Sequence, residues 1–171
     1  MHNYPLKQIL LTLLLSTYLT TIRAQITIDT AKYVLFQHDN VVDKWIFDKK
    51  YKPYSLTESD VAEVESILLN CVYKYNLSQT REFNRLNKKE PGYFDLKSFI
   101  IDLPKYKRQL VAVINSKGEK EVWVNCFRES NYKIKYWREK IVMASDGGNY
   151  FFNVKINLTT KKYHEFRVNG F

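Results

Sequence analysis

Residues 57–75 read TESDVAEVESILLNCVYKY and set the architecture expected for the chain. Thr57, followed three residues later by Asp60, has the form of a capping box, and acidic residues in the first turn suit the positive end of a helix dipole. Apolar residues then recur at helical spacing and form one stripe. Since Asn76 suits a C-terminal stop, we predict an amphipathic helix over residues 58–75. The stripe consists of Val61, Val64, Ile67, Leu68, Cys71, Val72 and Tyr75.

Upstream of this helix, residues 25–55 are irregular in pattern and contain two short β-like runs, at 33–36 and 44–47. Downstream, the pattern is ambiguous as far as residue 104, with a short helix expected around 80–87 before Pro91 and Gly92 break the chain. We therefore divide the chain into a leader at 1–24, an irregular segment at 25–55 and an α+β domain at 56–171.

The remainder of the chain has strand patterns separated by turn signals. A hairpin signal, Asn-Ser-Lys-Gly at 115–118, and a second turn, Asp-Gly-Gly-Asn at 146–149, punctuate these runs. One long helix followed by strands that are joined by short turns predicts an α+β fold, with the helix packed on a four-stranded antiparallel meander. The strand candidates are residues 106–114, 121–127, 136–143, 150–158 and 163–168.

Residues 1–24 have the three-part layout of a secretory signal peptide. A cationic start that includes Lys7 precedes the apolar run 9–19, and the small residue Ala24 follows at the distance suited to signal peptidase. The alternative is a membrane anchor, but this run is about half of the roughly 20 apolar residues that a bilayer span requires. We therefore expect cleavage after Ala24 and an exported protein, periplasmic or extracellular, without a transmembrane anchor.

The charge of the chain is basic but dispersed. The 171 residues include 27 Lys and Arg against 18 Asp and Glu, a formal net charge of +9. Basic proteins gather polyanions, including nucleic acid. Here the lysines are spread along the chain and alternate with acids, a pattern typical of a solvated surface. Export also separates the protein from most nucleic acid, so we do not expect a nucleic-acid partner.

The two cysteines have positions that favour a structural role. Cys71 lies on the apolar stripe of the predicted helix, and Cys126 shares a strand face with Val122 and Val124. If the helix covers that face, the sulfurs can form a disulfide worth about 4 kcal/mol; the alternative is two separately buried thiols. A catalytic cysteine needs an exposed thiolate beside a base, and no Cys or His pair has metal-ligand spacing. We expect no catalytic residue, metal or cofactor.

An aromatic strip is the surface that the sequence singles out for binding. Trp123, Asn125 and Phe127 project to one face of the predicted strand, opposite Cys126, and Phe151 likewise points away from the apolar set of its own strand. If the helix covers the other face, this strip is open and could bind a protein, peptide or sugar. The alternative is that residues 25–55 cover it.

Residues 142–148, 152–155 and 168–170 read VMASDGG, FNVK and VNG. In this C-terminal third the chain resembles small exported bacterial proteins of unassigned function, of the kind found in the Bacteroidetes. That resemblance implies a periplasmic or secreted location and supplies no activity.

The order of one helix followed by a meander is also similar to the cystatin-like arrangement. Residues 109–113, QLVAV, echo the Gln-x-Val-x-Gly loop with which cystatins plug cysteine-protease clefts, although Val113 stands where that motif has Gly. This resemblance implies a protease inhibitor.

The leading functional hypothesis is therefore an exported, non-enzymatic interaction module that binds a protein or a glycan. The alternatives are an enzyme of unknown type, whose site forms only in the fold, and a cystatin-like protease inhibitor.

Overall fold

The computed structural model describes residues 31–39, 44–129 and 134–170, which form a long helix, a mixed β-sheet and connecting turns. The predicted signal peptide and its cleavage site lie outside the described residues. Neither of the two described α-helices combines the length and the apolar character that a membrane span requires.

The long helix, α1, runs from Glu58 to Lys89, so its predicted start is confirmed and its predicted end is wrong. Thr57 accepts a hydrogen bond from the Asp60 amide, and the Asp60 carboxylate accepts one from the Thr57 amide, which completes the capping box. Asn76 does not stop the helix. Its side-chain amide instead donates to the Ile101 carbonyl and accepts from the Ile101 amide, both at 2.8 Å.

The extension of α1 absorbs the short helix predicted around 80–87. A second, four-residue helix, α2, spans Leu96–Phe99 after the break at Gly92. Phe83 of α1 packs edge-on against Phe99 of α2, with ring centroids 5.6 Å apart.

The sheet contains six strands among the described residues and is mixed rather than purely antiparallel. The last four strands pair in sequence order, each antiparallel to the next, which is the pairing expected of the predicted meander. The first strand adds to the edge of this meander by pairing parallel to the third, and the two-residue second strand pairs antiparallel with the end of the same strand. The strands are β1 Tyr33–Gln37, β2 Lys52–Pro53, β3 Lys107–Ile114, β4 Lys120–Phe127, β5 Phe151–Asn157 and β6 Lys162–Val168.

Two of the predicted strands are wrong. The described residues 44–47 and 136–143 form turns and irregular backbone, although both runs are rich in aromatic and branched residues. Trp137 and Val142 of the second run are buried, as are Ile46 and Phe47 of the first. An irregular segment that packs apolar side chains onto a sheet is as rich in aromatic and branched residues as a strand is. Because the two strands were predicted from this composition, the prediction failed here.

Each face of the sheet carries a buried core. One face packs against α1 through a core that contains Leu110, Val124 and Val154 on the strands and Val64 and Leu68 on the helix. We call the other side the second face; Val111, Val113 and Trp123 form a core there with Ile46 and Phe47. Because the second face is covered by irregular chain rather than by a helix, its surface depends on how those segments are held.

Candidate functional site

The aromatic strip predicted for binding lies on the second face, as its alternation along the strands implied. The expectation that this face is open is wrong, because Trp123, Asn125 and Phe127 are buried and Phe151 is half-buried. The alternative, coverage by the segment at 25–55, accounts for part of this burial, and residues 134–144 account for the rest.

The first cover consists of residues 44–51. Ile46 and Phe47 pack into the cluster around Trp123. Trp45 stands edge-on to Trp123, with ring centroids 5.3 Å apart and an interplanar angle of 86°. The Lys155 ammonium lies over the Phe47 ring at 5.3 Å. One tryptophan is therefore sealed under this cover, while its neighbour Trp45 remains half exposed.

The second cover consists of residues 134–144 and is held by a buried glutamine of β3. Gln109 donates from its amide nitrogen to the Trp137 carbonyl at 2.6 Å and the Lys140 carbonyl at 2.8 Å. Its oxygen accepts from the Val142 amide at 2.7 Å and from the Asn125 side chain at 3.0 Å. All of the hydrogen-bonding capacity of this buried side chain is thus used, with three bonds to the cover and the fourth to Asn125 of β4.

A shallow pocket of about 80 Å³ lies between the two covers, and we call it the second-face pocket. Trp45 and Met143 are its most exposed apolar members, at 50% and 70% of their surface. Two asparagines contribute polar groups to its wall. Asn153 accepts a long hydrogen bond from the Trp123 indole at 3.4 Å, and Asn169 donates to the Ala144 carbonyl at 2.7 Å. The remaining lining residues are Asn125, Val142, Phe151 and Phe152.

The second-face pocket therefore brings together three of the four residues predicted for binding: Trp123, Asn125 and Phe151. Phe127 is not among them, because it is fully buried under Trp137 and Val142. Sequence reasoning missed the two exposed members, Trp45 and Met143. Their runs, residues 44–47 and 136–143, were predicted as strands. The turn residues that flank both runs were the available signal that these are loops instead.

A second depression, of about 190 Å³, lies beside β1 and is lined by Leu35, Tyr54, Leu56 and Leu110. Both depressions are smaller than the 300–1,000 Å³ typical of sites that enclose a small molecule. Among the residues that the structure describes, no group of three His, Cys, Asp or Glu side chains is arranged to hold a metal ion.

Cys71 and Cys126 lie in the core between α1 and the sheet, and both are free thiols. The disulfide is therefore not formed, and the structure has the alternative of two buried thiols. Burial raises the pKa of Cys71 to about 12 and also raises the pKa of Cys126. Both side chains are accordingly protonated at neutral pH, the opposite of what an activated nucleophile requires.

Buried charge is used to tie elements together. Arg108 of β3 lies under α1, with its Nε 2.8 Å from a carboxylate oxygen of Glu65, and it also donates to the Tyr106 carbonyl. Burial raises the pKa of Glu65 despite the opposing influence of the arginine. Since both partners are largely withdrawn from solvent, this pair is placed to support packing rather than to contact a ligand.

The run that echoes the cystatin loop lies in the middle of β3. Residues 109–113 are buried, and they pair with β4 on one side and with β1 and β2 on the other. An inhibitory loop has to be an exposed hairpin tip, so this run is not placed to plug a protease cleft.

Comparison of the chain with protein-family models, with curated proteins and with solved structures gives no match.

Proposed function

We propose that this protein is an exported, non-enzymatic interaction module that binds a partner protein at the second-face pocket. The observation that carries the proposal is the pairing of two exposed apolar side chains, Trp45 and Met143, at the rim of a pocket whose floor is buried and aromatic. Export is supported by the layout of residues 1–24, and the location, periplasmic or extracellular, belongs to the same proposal.

The chemistry of the rim suits protein recognition. Tryptophan is enriched among the side chains that contribute most to binding at protein interfaces, and methionine adapts its shape to irregular partners. Trp45 is held edge-on against the buried Trp123, so its ring is positioned before a partner arrives. Such preorganisation lowers the entropy lost on binding.

The size of the second-face pocket separates this proposal from an enclosed small-molecule site. A volume of about 80 Å³ is well below that of a typical substrate pocket. It is suited to one side chain that projects from a larger partner. The asparagines at the wall, Asn153 and Asn169, supply amide groups that can orient such a side chain.

Site-specific photocrosslinking tests the proposal. A photoreactive phenylalanine analogue is placed at position 143, and a matched control carries it at Tyr93, which is 75% exposed, packs against Phe94 and does not line the second-face pocket. In envelope and secreted fractions of the native host, we expect a discrete protein adduct from position 143 that is absent from position 93. Competition by unlabelled protein should remove the adduct, whereas the Trp45→Ala variant should compete poorly.

Equal adducts from both positions, or competition by Trp45→Ala as strong as by the wild type, would contradict the proposal. A glycan panel is run in parallel. Binding of a defined oligosaccharide that depends on Trp45, without any protein adduct, would replace the protein partner with a glycan.

A further inference from the structure

The surface of α1 that is turned away from the sheet carries an uncovered apolar stripe. Leu69, Tyr73 and Leu77 are between 43% and 63% exposed. Residues spaced by four lie next to one another on a helix surface, so the three side chains form one line. Positions along the same line are uncharged over most of the helix, in a chain of which 26% of the residues are charged. They are Ser59, Ala62, Ser66, Leu69, Tyr73, Leu77, Thr80 and Asn84.

The charges of α1 change sign at its midpoint. From residue 58 to 73 every charged residue is acidic, and from 74 to 89 all but Glu82 are basic. Interaction with the helix dipole explains such a bias only within the first and last turns. The basic members are Lys74, Arg81, Arg85, Lys88 and Lys89, and the acidic members are Glu58, Asp60, Glu63 and Glu65. Asp60 and Glu65 are largely buried in ion pairs with Lys120 and Arg108, so Glu58 and Glu63 are the acids that a partner can reach.

The stripe and the charge reversal share one centre. Tyr73 lies at the middle of α1, with Leu69 four residues before it and Leu77 four residues after it. A two-fold axis at Tyr73 would bring the acidic half of one helix against the basic half of another. It would also place Leu69 of each copy opposite Leu77 of the other, as a self-complementary two-fold interface requires.

We propose that two copies of this chain associate through α1, antiparallel, about a two-fold axis at Tyr73. The charge reversal selects the occupant: Glu58 and Glu63 would face their own copies in a parallel pair, whereas in the antiparallel pair they face the basic half of the other helix. The uncharged stripe forms the contact, and the flanking charges set its direction. This interface is separate from the second-face pocket, because the sheet lies between them.

Sedimentation of the full chain tests self-association. We expect concentration-dependent dimer formation in the micromolar range, weakened by added salt because Glu58, Glu63 and the basic residues that they face are accessible to solvent. Tyr73→Glu places two carboxylates at the axis and should leave only monomer over the same range. The matched control, Tyr93→Glu, replaces a tyrosine outside α1 that is 75% exposed, against 63% for Tyr73, and should dimerise as the wild type does. A wild-type chain that stays monomeric, or a dimer that tolerates Tyr73→Glu, overturns the proposal.

Disulfide trapping tests the antiparallel arrangement. In the proposed pair, Leu69 faces Leu77 of the other copy, whereas the two Leu69 positions are about 12 Å apart along the axis, beyond the reach of a disulfide. A mixture of Leu69→Cys and Leu77→Cys chains should crosslink on mild oxidation, and either variant alone should not. The native thiols of Cys71 and Cys126 are buried and do not interfere. Crosslinking of Leu69→Cys with itself would indicate a parallel pair and overturn the proposal.

Discussion

Replacing Gln109 with leucine should release the cover formed by residues 134–144. The side chain is fully buried, and leucine is close to it in size, so the change removes hydrogen bonds without opening a large cavity. Four hydrogen bonds are lost, to the backbone of Trp137, Lys140 and Val142 and to the side chain of Asn125.

The magnitude follows from which groups are left without a partner. The Lys140 carbonyl belongs to an exposed residue and can turn to water, and Asn125 keeps its bond to the Val142 carbonyl at 2.8 Å. The Trp137 carbonyl and the Val142 amide belong to buried residues. Each stranded buried group costs about 1–3 kcal/mol. We therefore expect Gln109→Leu to lower the free energy of unfolding by about 3 kcal/mol.

Urea unfolding followed by circular dichroism measures this loss, and hydrogen exchange locates it. Amide protection should fall at residues 134–144 before it falls in β3 and β4. Gln79→Leu, at a half-exposed position of α1, is the control and should change stability by less than about 0.5 kcal/mol. A Gln109→Leu protein as stable as this control, with unchanged exchange at 134–144, would refute the assigned role of Gln109.

Three further predictions concern the capping residue, the strip and the thiols. Although burial opposes it, hydrogen bonds to Asp60 hold its pKa well below the usual range. The stability that results is present above the pKa of about 4 that Asp60 has in the unfolded chain, and it is lost as the pH falls towards the lower pKa of the folded protein. The urea midpoint of Asp60→Asn should therefore fall less than that of the wild type between neutral and acidic pH. Trp123→Ala should cost about 3–5 kcal/mol in thermal melts, whereas the half-exposed Trp45→Ala should cost less than about 1 kcal/mol; equal losses would be contrary to the burial described. Alkylation should leave Cys71 and Cys126 untouched in the native protein and modify both after denaturation without reductant, and two unreactive sulfurs after denaturation would reveal a disulfide.

The elements that the sequence predicted well are those with local signals. The start of α1 was readable because Thr57 and Asp60 satisfy each other within one turn. The hairpin between β3 and β4 was readable because Gly118 adopts the positive φ, 79°, that its turn signal implied. The end of α1 was misplaced because the Asn76 side chain hydrogen-bonds to the backbone of Ile101 and does not cap the helix. Ile101 is distant in sequence, and no local pattern indicates such a contact.

The second face shows why the site was harder to predict than the fold. Alternation correctly assigned Trp123 and Asn125 to the face opposite Cys126, but it does not report what lies above a strand. From the sequence, a lone glutamine in an apolar run such as Gln109 is expected to face solvent. The structure instead shows that four backbone and side-chain groups hydrogen-bond to its buried side chain. The parallel pairing of β1 with β3 is likewise non-local and leaves no periodic signal.

The two proposed surfaces are physically independent, and this makes their tests separable. The sheet stands between α1 and the second-face pocket, so Tyr73→Glu changes a side chain that is 63% exposed without touching either cover. It should abolish dimer formation and leave photocrosslinking from position 143 intact. Trp45→Ala should do the reverse, because its side chain is 50% exposed on the opposite side and it leaves the probe at position 143 in place. A single substitution that removed both properties would have to act through the shared core, and a thermal melt of that variant would reveal the loss of stability.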